Sequence, residues 1–423
     1  MTQMLGQLRL PLHWFAESNT SPAPYDRQLL VLVFALMSLG LVMVASASMP
    51  VSEKLYGQPF HFLIRHLVYV VLSVAALFTV IRIPMERWQQ ANFMLLLVAI
   101  LMLIAVLIVG RKVNGSMRWL ALGPITIQAA EPAKLFFFCY LAGYLVRRRD
   151  EVRENIKGFI KPLAVFFIIA VLLLLEPDLG TVVVMFMTTV GMLFLAGAKL
   201  WQFFSLALMG VAAIGVLAVT SEYRLRRITS FMDPWADPFG SGYQLTQSLM
   251  AFGRGSWFGE GLGNSIQKLE YLPEAHTDFV IAVLAEELGF IGVSLVLVLL
   301  LGLVVKALLI GRRALDIDRG FEGYFAYGIA IWMAFQGAVN VGASSGLFPT
   351  KGLTLPLVSY GGSSLLTLAV TVGILLRIEH EVRMETQQAI VMPPADKPKK
   401  ARKRKAKSDQ QVSDEEGTQE EQA

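Results

Sequence analysis

FMLLLVAILMLIAVLIVG, residues 93–110, runs for eighteen positions without a charge. As a helix it is about 27 Å long, at ~1.5 Å per residue, close to the roughly 30 Å hydrocarbon core of a bilayer. Lipid offers no partner to a bare peptide group, so such a run must pair its own backbone, and a helix does that. Comparable runs occupy 29–48, 62–82, 130–147, 160–176, 179–198, 202–221, 279–306, 323–346 and 354–377. Together they predict an all-α polytopic membrane protein with about ten transmembrane helices. The fifth and sixth runs are separated only by Glu176-Pro177-Asp178, a hairpin with no room for a domain.

Composition agrees. The chain is 55% hydrophobic and 16% charged, with mean hydropathy +0.57, whereas soluble domains are about one quarter charged. The net charge of +5 comes from one segment. Lys397, Lys399, Lys400, Arg402, Lys403, Arg404, Lys405 and Lys407 stand together without an acid, and without them the rest of the chain is net acidic. Asp409, Asp414, Glu415, Glu416, Glu420 and Glu421 follow. Block-charged ends of this kind are disordered tails, and the basic balance is no nucleic-acid footprint. The single cysteine, Cys139, lies in an apolar run and reads as a small buried hydrophobe, so no internal disulfide forms. The first 28 residues carry Pro11, Pro22 and Pro24 and no cleavable signal, so the first span is read as retained.

These boundaries give an N-terminal segment (1–28), a membrane domain (29–380) and a tail (381–423). With an even span count both termini share a side. Arg82, Arg87, Arg147, Arg148, Arg149, Arg312, Arg313 and the basic tail lie on that side, which the positive-inside rule makes cytoplasmic. Residues 222–277 then form one large extracytoplasmic loop between helices seven and eight. The loop is rich in Gly, Pro, Trp and charge. Within it, Gln244–Phe252 has helical spacing suited to an interfacial helix. No internal repeat of the kind common in transporters is visible.

The candidate chemistry gathers where that loop enters the eighth span, Leu272-Pro273-Glu274-Ala275-His276-Thr277-Asp278. Asp278 is read either as an N-cap or as a carboxylate able to take a proton from a hydroxyl. The two are compatible if Thr277 caps and Asp278 points outward. Glu274 and His276 add polar groups, and a His-x-Asp pair alone is a weak metal signal. Glu286 and Glu287 lie one helix stretch deeper, where carboxylates must be paired or face a cavity, and pairing is the expectation. Glu131 and Lys134, at i and i+3, form an ion pair or offer a cation to phosphate, as does Arg118 beside Trp119. Asp178 is read as a cap of the sixth span. In Leu355-Pro356-Leu357-Val358-Ser359-Tyr360-Gly361-Gly362-Ser363-Ser364 the Gly and Pro imply irregular backbone lining a cavity. Ser359 and Ser363 either face that cavity or bond their own backbone.

These segments, in order over roughly residues 25–385, resemble the SEDS family (shape, elongation, division and sporulation). The resemblance rests on Gly259 to Lys268, Leu272 to Phe279, Ala285 to Gly289, Arg118-Trp119, Glu131-Pro132-Ala133-Lys134, Pro177 to Thr181 and Pro356 to Ser364. The Glu274-Ala275-His276 wording is similar to the division branch, since the elongation branch usually has arginine at the middle position. Glu176 departs from the family, many members having Gln there. The resemblance implies a peptidoglycan glycosyltransferase that joins lipid II units into a nascent glycan strand, in the bacterial inner membrane at the division septum. It implies Asp278 as the essential acid, here the candidate general base. Arg118, Lys134, Glu274, His276, Ser359 and Ser363 are expected to meet substrate, with Glu131, Asp178 and Glu286 supporting. No protein metal site is expected. No organic cofactor is implied, and a divalent cation, Mg or Mn, is a candidate helper for the pyrophosphate. The implied partners are a class B penicillin-binding protein, an FtsI-type transpeptidase, and other divisome membrane proteins. The rival readings are a lipid II flippase, a division scaffold and an elongation-type polymerase.

Overall fold

A computed structural model describes residues 25–391, apart from 114–115, 123–124, 350–351 and parts of 200–228. Most of the N-terminal segment, most of the expected seventh span and the charged tail therefore lie outside the described residues. The helices are α1 (Arg27–Tyr56), α2 (His61–Val80), α3 (Met85–Val109), α4 (Ala130–Arg147), α5 (Arg149–Glu154), α6 (Ile156–Leu175) and α7 (Leu179–Leu195). After the long loop, which contains α8 (Tyr243–Gly255), come α9 (Val280–Asp316), α10 (Gly320–Ser344) and α11 (Gly362–Val391). Among the described residues seven helices are long and apolar enough to cross a membrane: α1, α2, α3, α6, α9, α10 and α11. The chain is a multi-pass α-helical membrane protein, and each other expected run overlaps a helix.

The helices pack by small residues and polar ties rather than by apolar burial, since lipid is as apolar as leucine. In α1, Leu29, Val33, Leu36, Met37, Met43, Val44 and Ala47 are buried at helical spacing while Val31, Phe34 and Val42 face outward. Gly40 lets the helix touch the segment before α11, where a Cβ would stand 2.6 Å from the Val358 carbonyl oxygen. Asp26 caps α1 by accepting from Leu29 N (3.0 Å), and its other oxygen pairs with Lys306 Nζ of α9 at 2.8 Å. That buried pair ties the two helices together.

Several boundaries differ from expectation. α1 runs on through Pro50 to Tyr56. α11 begins only at Gly362, because residues 352–361 are irregular, and it extends past the expected boundary at 380. Ion pairs hold that extension: Arg377 with Glu381 (2.7 Å), and Arg319 with Glu381 (3.4 Å) and Glu385 (2.6 Å). The all-α expectation also missed a small antiparallel sheet, β1 (Arg111–Val113), β2 (Ser116–Leu122) and β3 (Ile125–Gln128), in the order β1-β2-β3. Strands this short carry too little alternation to stand out beside apolar runs.

Candidate functional site

α9 is two helices joined at a break. Gly289 has φ 66° and ψ −164°, a conformation essentially reserved for glycine. The loop fills the break with its own backbone. Glu260 N donates to Glu286 O (2.9 Å) and Gly261 N to Glu287 O (3.0 Å), while Phe290 N donates to Ser256 O (2.9 Å) and Ile291 N to Trp257 O (3.2 Å). The peptide groups freed by the break are thus paired, as burial at depth demands.

The two deep glutamates fasten the same loop. Glu286 accepts from the Ser265 hydroxyl, from Ile266 N (3.0 Å) and from Gln267 N (3.2 Å), with the Arg254 guanidinium at 3.5 Å. Glu287 accepts from Ser46 Oγ of α1 (2.6 Å) and from Lys268 Nζ (2.7 Å). Both are fully buried. The supporting role expected of Glu286 is therefore an anchoring role, and the expectation of pairing holds for both.

Beyond the anchored loop, the chain turns sharply into α9. Thr277 N and Phe279 N both donate to Glu274 O, at 3.1 and 3.2 Å, with Glu274 itself at φ 54°. This turn corrects the capping expectation. The Thr277 hydroxyl donates to Glu274 Oε2 (2.7 Å), and the N-cap position is Phe279, which has no side-chain cap. Asp278 is held through its main chain, because Asn340 Nδ2 of α10 donates to the Asp278 carbonyl (2.8 Å) and to the Leu353 carbonyl (2.6 Å). Its carboxylate lies beside Gly352. A Cβ added at Gly352 would stand 3.3 Å from Asp278 Oδ2 and 3.9 Å from Arg118 Nη1, so acid and guanidinium converge on one space.

Arg118 reaches there from β2. Its Nε donates to the Glu176 carbonyl (3.0 Å) and its Nη2 to the Pro177 carbonyl, on the hairpin between α6 and α7. Asp178, as expected, caps α7 through Thr181 N (3.1 Å) and Thr181 Oγ1 (2.8 Å).

The remaining candidates are placed differently. Lys134 is fully buried, donating to Glu131 Oε1 (2.9 Å) and Gln336 Oε1 (3.0 Å). It forms the structural ion pair rather than a surface cation. Trp332 Nε1 joins the same Gln336 oxygen at 2.8 Å, and Gln336 Nε2 holds the Thr354 carbonyl at 3.0 Å. Gln336 and Asn340, not singled out from the sequence, thus link the ion pair to the segment facing Asp278. Ser359 Oγ accepts from Leu355 N (2.9 Å), within its own turn. Ser363 Oγ accepts from Gln128 N (3.0 Å) and donates to Thr126 O (3.2 Å), joining α11 to β3. Both hydroxyls are engaged with backbone. His276 is buried among Phe62 and Tyr360, at ring centroids of 4.9 and 5.4 Å. Burial lowers its pKa, only partly opposed by Glu274, so the ring is neutral at neutral pH and supplies no cation. Among the described residues no three His, Cys, Asp or Glu side chains come together as a metal-binding group.

Comparison with known proteins agrees with this architecture. A family model described as "Cell cycle protein", of the FtsW, RodA and SpoVE type, matches residues 27–384. A probable peptidoglycan glycosyltransferase FtsW of Pseudoalteromonas atlantica is 67% identical over 367 residues, covering 87% of this chain and 75% of the relative. The FtsW relatives of Aliivibrio salmonicida (59%, covering 90% and 96%) and Escherichia coli (56%, covering 87% and 89%) carry the same description. A chain from a peptidoglycan synthase complex, described as coordinating polymerization and crosslinking, superposes with TM-score 0.70 at 30% identity, covering 85% of this chain and 98% of that one. The Thermus thermophilus rod shape determining protein RodA superposes with TM-score 0.63 at 29% identity, covering 84% and 97%. The chain belongs to the SEDS family of FtsW, RodA and SpoVE-type cell cycle proteins.

Proposed function

We propose that this chain is the peptidoglycan glycosyltransferase of septal wall synthesis, polymerising lipid II with Asp278 as general base. The observation that carries the reading is the convergence of the Asp278 carboxylate and the Arg118 guanidinium beside Gly352. In the proposed step, Asp278 takes the proton of the acceptor sugar 4-hydroxyl. That oxygen bonds to the anomeric carbon of the donor as the bond from that carbon to the pyrophosphate oxygen breaks. The anomeric centre inverts, and undecaprenyl diphosphate leaves with the bonding pair. Charge grows on the leaving oxygen, where a fixed cation is most effective. Arg118 is the residue assigned to it, in preference to the buried Lys134. A divalent cation remains a candidate second helper.

The long lipid tail of such a substrate suits a site at the loop end of a membrane bundle. Both termini are assigned to the cytoplasm and the loop to the outer face by the distribution of Lys and Arg. The partner assigned is a class B transpeptidase, in keeping with the polymerization and crosslinking ascribed to the complex whose chain this one resembles.

The test is polymerisation of lipid II by purified full-length chain with its transpeptidase, with and without chelator. Asp278→Asn is expected to lose about 100- to 10,000-fold in rate, the usual worth of a general base, while keeping its thermal stability. If the wild type moves lipid II across vesicles yet forms no polymer, the flippase reading replaces this one.

A further inference from the structure

One acid beside the site has no part in the step just described. Glu176, at the end of α6, is fully buried, and neither of its carboxyl oxygens has a hydrogen-bond partner. Its main chain is occupied: Arg118 rests on the carbonyls of Glu176 and Pro177. The guanidinium thus lies on the backbone of a residue whose own carboxyl group it does not bond. Asp178, the other acid of the hairpin, is engaged with Thr181. Asp278 meets the same guanidinium across Gly352. Among the described residues, Asp178 on the hairpin and Arg118 on β2 are the charged groups acting on Glu176, and Asp278 shares with Arg118 the space beside Gly352. Leu353, the neighbour packed on Gly180, is apolar.

An unpartnered carboxyl in such a place is neutral unless something forces it to ionise. Burial, reinforced by Asp178 and opposed by Arg118, pushes its pKa up to about 8. Once ionised, it would offer the guanidinium two charged oxygens in place of neutral carbonyls. Charge-assisted pairs of that kind are the stronger, above all away from water.

We propose that Glu176 is a positioning residue for Arg118: uncharged, it leaves the guanidinium on the hairpin carbonyls and facing Asp278; ionised, it captures the guanidinium and withdraws it from the leaving phosphate. The inference rests on the reading of Arg118 as the cation of a glycosyltransferase. It makes the enzyme lose turnover as the medium becomes alkaline, by release of one proton from Glu176 to solvent.

The experiment is the initial rate of lipid II polymerisation by the full-length chain with its transpeptidase, from pH 6.5 to 9.5, for wild type and Glu176→Gln. A single group titrating near 8 leaves about one tenth of the protein neutral at pH 9, so the wild-type rate is expected to fall roughly tenfold between pH 7 and 9. The amide stays uncharged and is expected to lack that limb, whatever its rate at pH 7. A purely structural role for Glu176 would change the rate without moving the limb, and identical limbs in the two proteins overturn the inference. A second reading does not need activity. Infrared titration of the wild type is expected to show a protonated carboxyl band lost around pH 8. Its absence overturns the inference even if Glu176→Gln fails to fold. A wild type that makes no polymer at any pH but shows the band refutes the glycosyltransferase reading and, with it, the effect on turnover, leaving only the buried neutral acid.

Discussion

Replacing Gly289 by alanine attacks the junction on which the loop is built. The residue is at φ 66°, so a side chain there costs about 1 kcal/mol or more before any contact is considered. Contact adds to this. A Cβ would stand 2.4 Å from Gly259 N and 2.6 Å from the Trp257 carbonyl carbon and oxygen. All three are backbone atoms and cannot swing aside as a side-chain tip can. The loop must therefore lift from α9, and the four backbone hydrogen bonds across the break go with it. At about 1 kcal/mol net for each bond, and more wherever a buried group is left unpaired, the local loss is roughly 4–8 kcal/mol. That is enough to detach the loop without unfolding the bundle, whose helices pack elsewhere. The expected result is rapid cleavage by added protease within 256–277, together with loss of polymerisation, while the membrane-embedded remainder resists. Gly259→Ala is expected to behave alike, because its Cβ would meet Glu287 O at 2.2 Å. Wild-type protease resistance and wild-type activity in Gly289→Ala would refute the idea that this backbone splice supports the site.

Two further substitutions test the ties on either side. Glu287→Ala leaves the Lys268 ammonium buried with, among the described residues, Ser46 and Gly263 as partners, which is expected to cost about 3–5 kcal/mol and lower the thermal midpoint. The pair Glu287→Leu with Lys268→Met is expected to recover much of that loss, and a double variant no better than the single one argues against the pair. Asn340→Leu strips hydrogen bonds from the carbonyls of Asp278 and Leu353, a loss of about 1–3 kcal/mol for each buried group left bare. Polymerisation is expected to drop at least as far as stability does, about tenfold or more, and unchanged turnover speaks against a positioning role for Asn340.

The membrane helices were legible because lipid enforces a length and a composition that few other structures need. The deep glutamates were legible for the same reason: charge at depth requires a partner, and Glu286 and Glu287 have theirs. What escaped reading was carried by the backbone. The loop joins α9 through peptide groups, and only the glycines at 259, 261 and 289 hint at it. Thr277 is a sound cap by residue type, but a tight turn around Glu274 claims its hydroxyl first. Ser363 bonds Gln128 and Thr126, and Lys134 reaches Gln336 as well as Glu131; partners that far along the chain are beyond what spacing can reveal. Gln336 and Asn340 carry a signal of their own. They stand one helix turn apart in an apolar span, where amides at depth need partners as much as charges do.

Four carboxylates near the loop serve the structure. Those of Glu131, Asp178, Glu286 and Glu287 hold the structure through their oxygens, by capping a helix, bonding a loop or pairing with a lysine. Asp278 is tied through its main chain, its carbonyl accepting from Asn340. The main chain that carries its carboxylate is therefore held by turn and amide. Changing its charge alters the chemistry presented beside Arg118 while those ties persist. Asp278→Asn is therefore informative and Glu286→Gln is not. The first keeps the Asn340 bond and removes the base, whereas the second weakens the hold of α9 on Ile266 and Gln267 and confounds chemistry with folding.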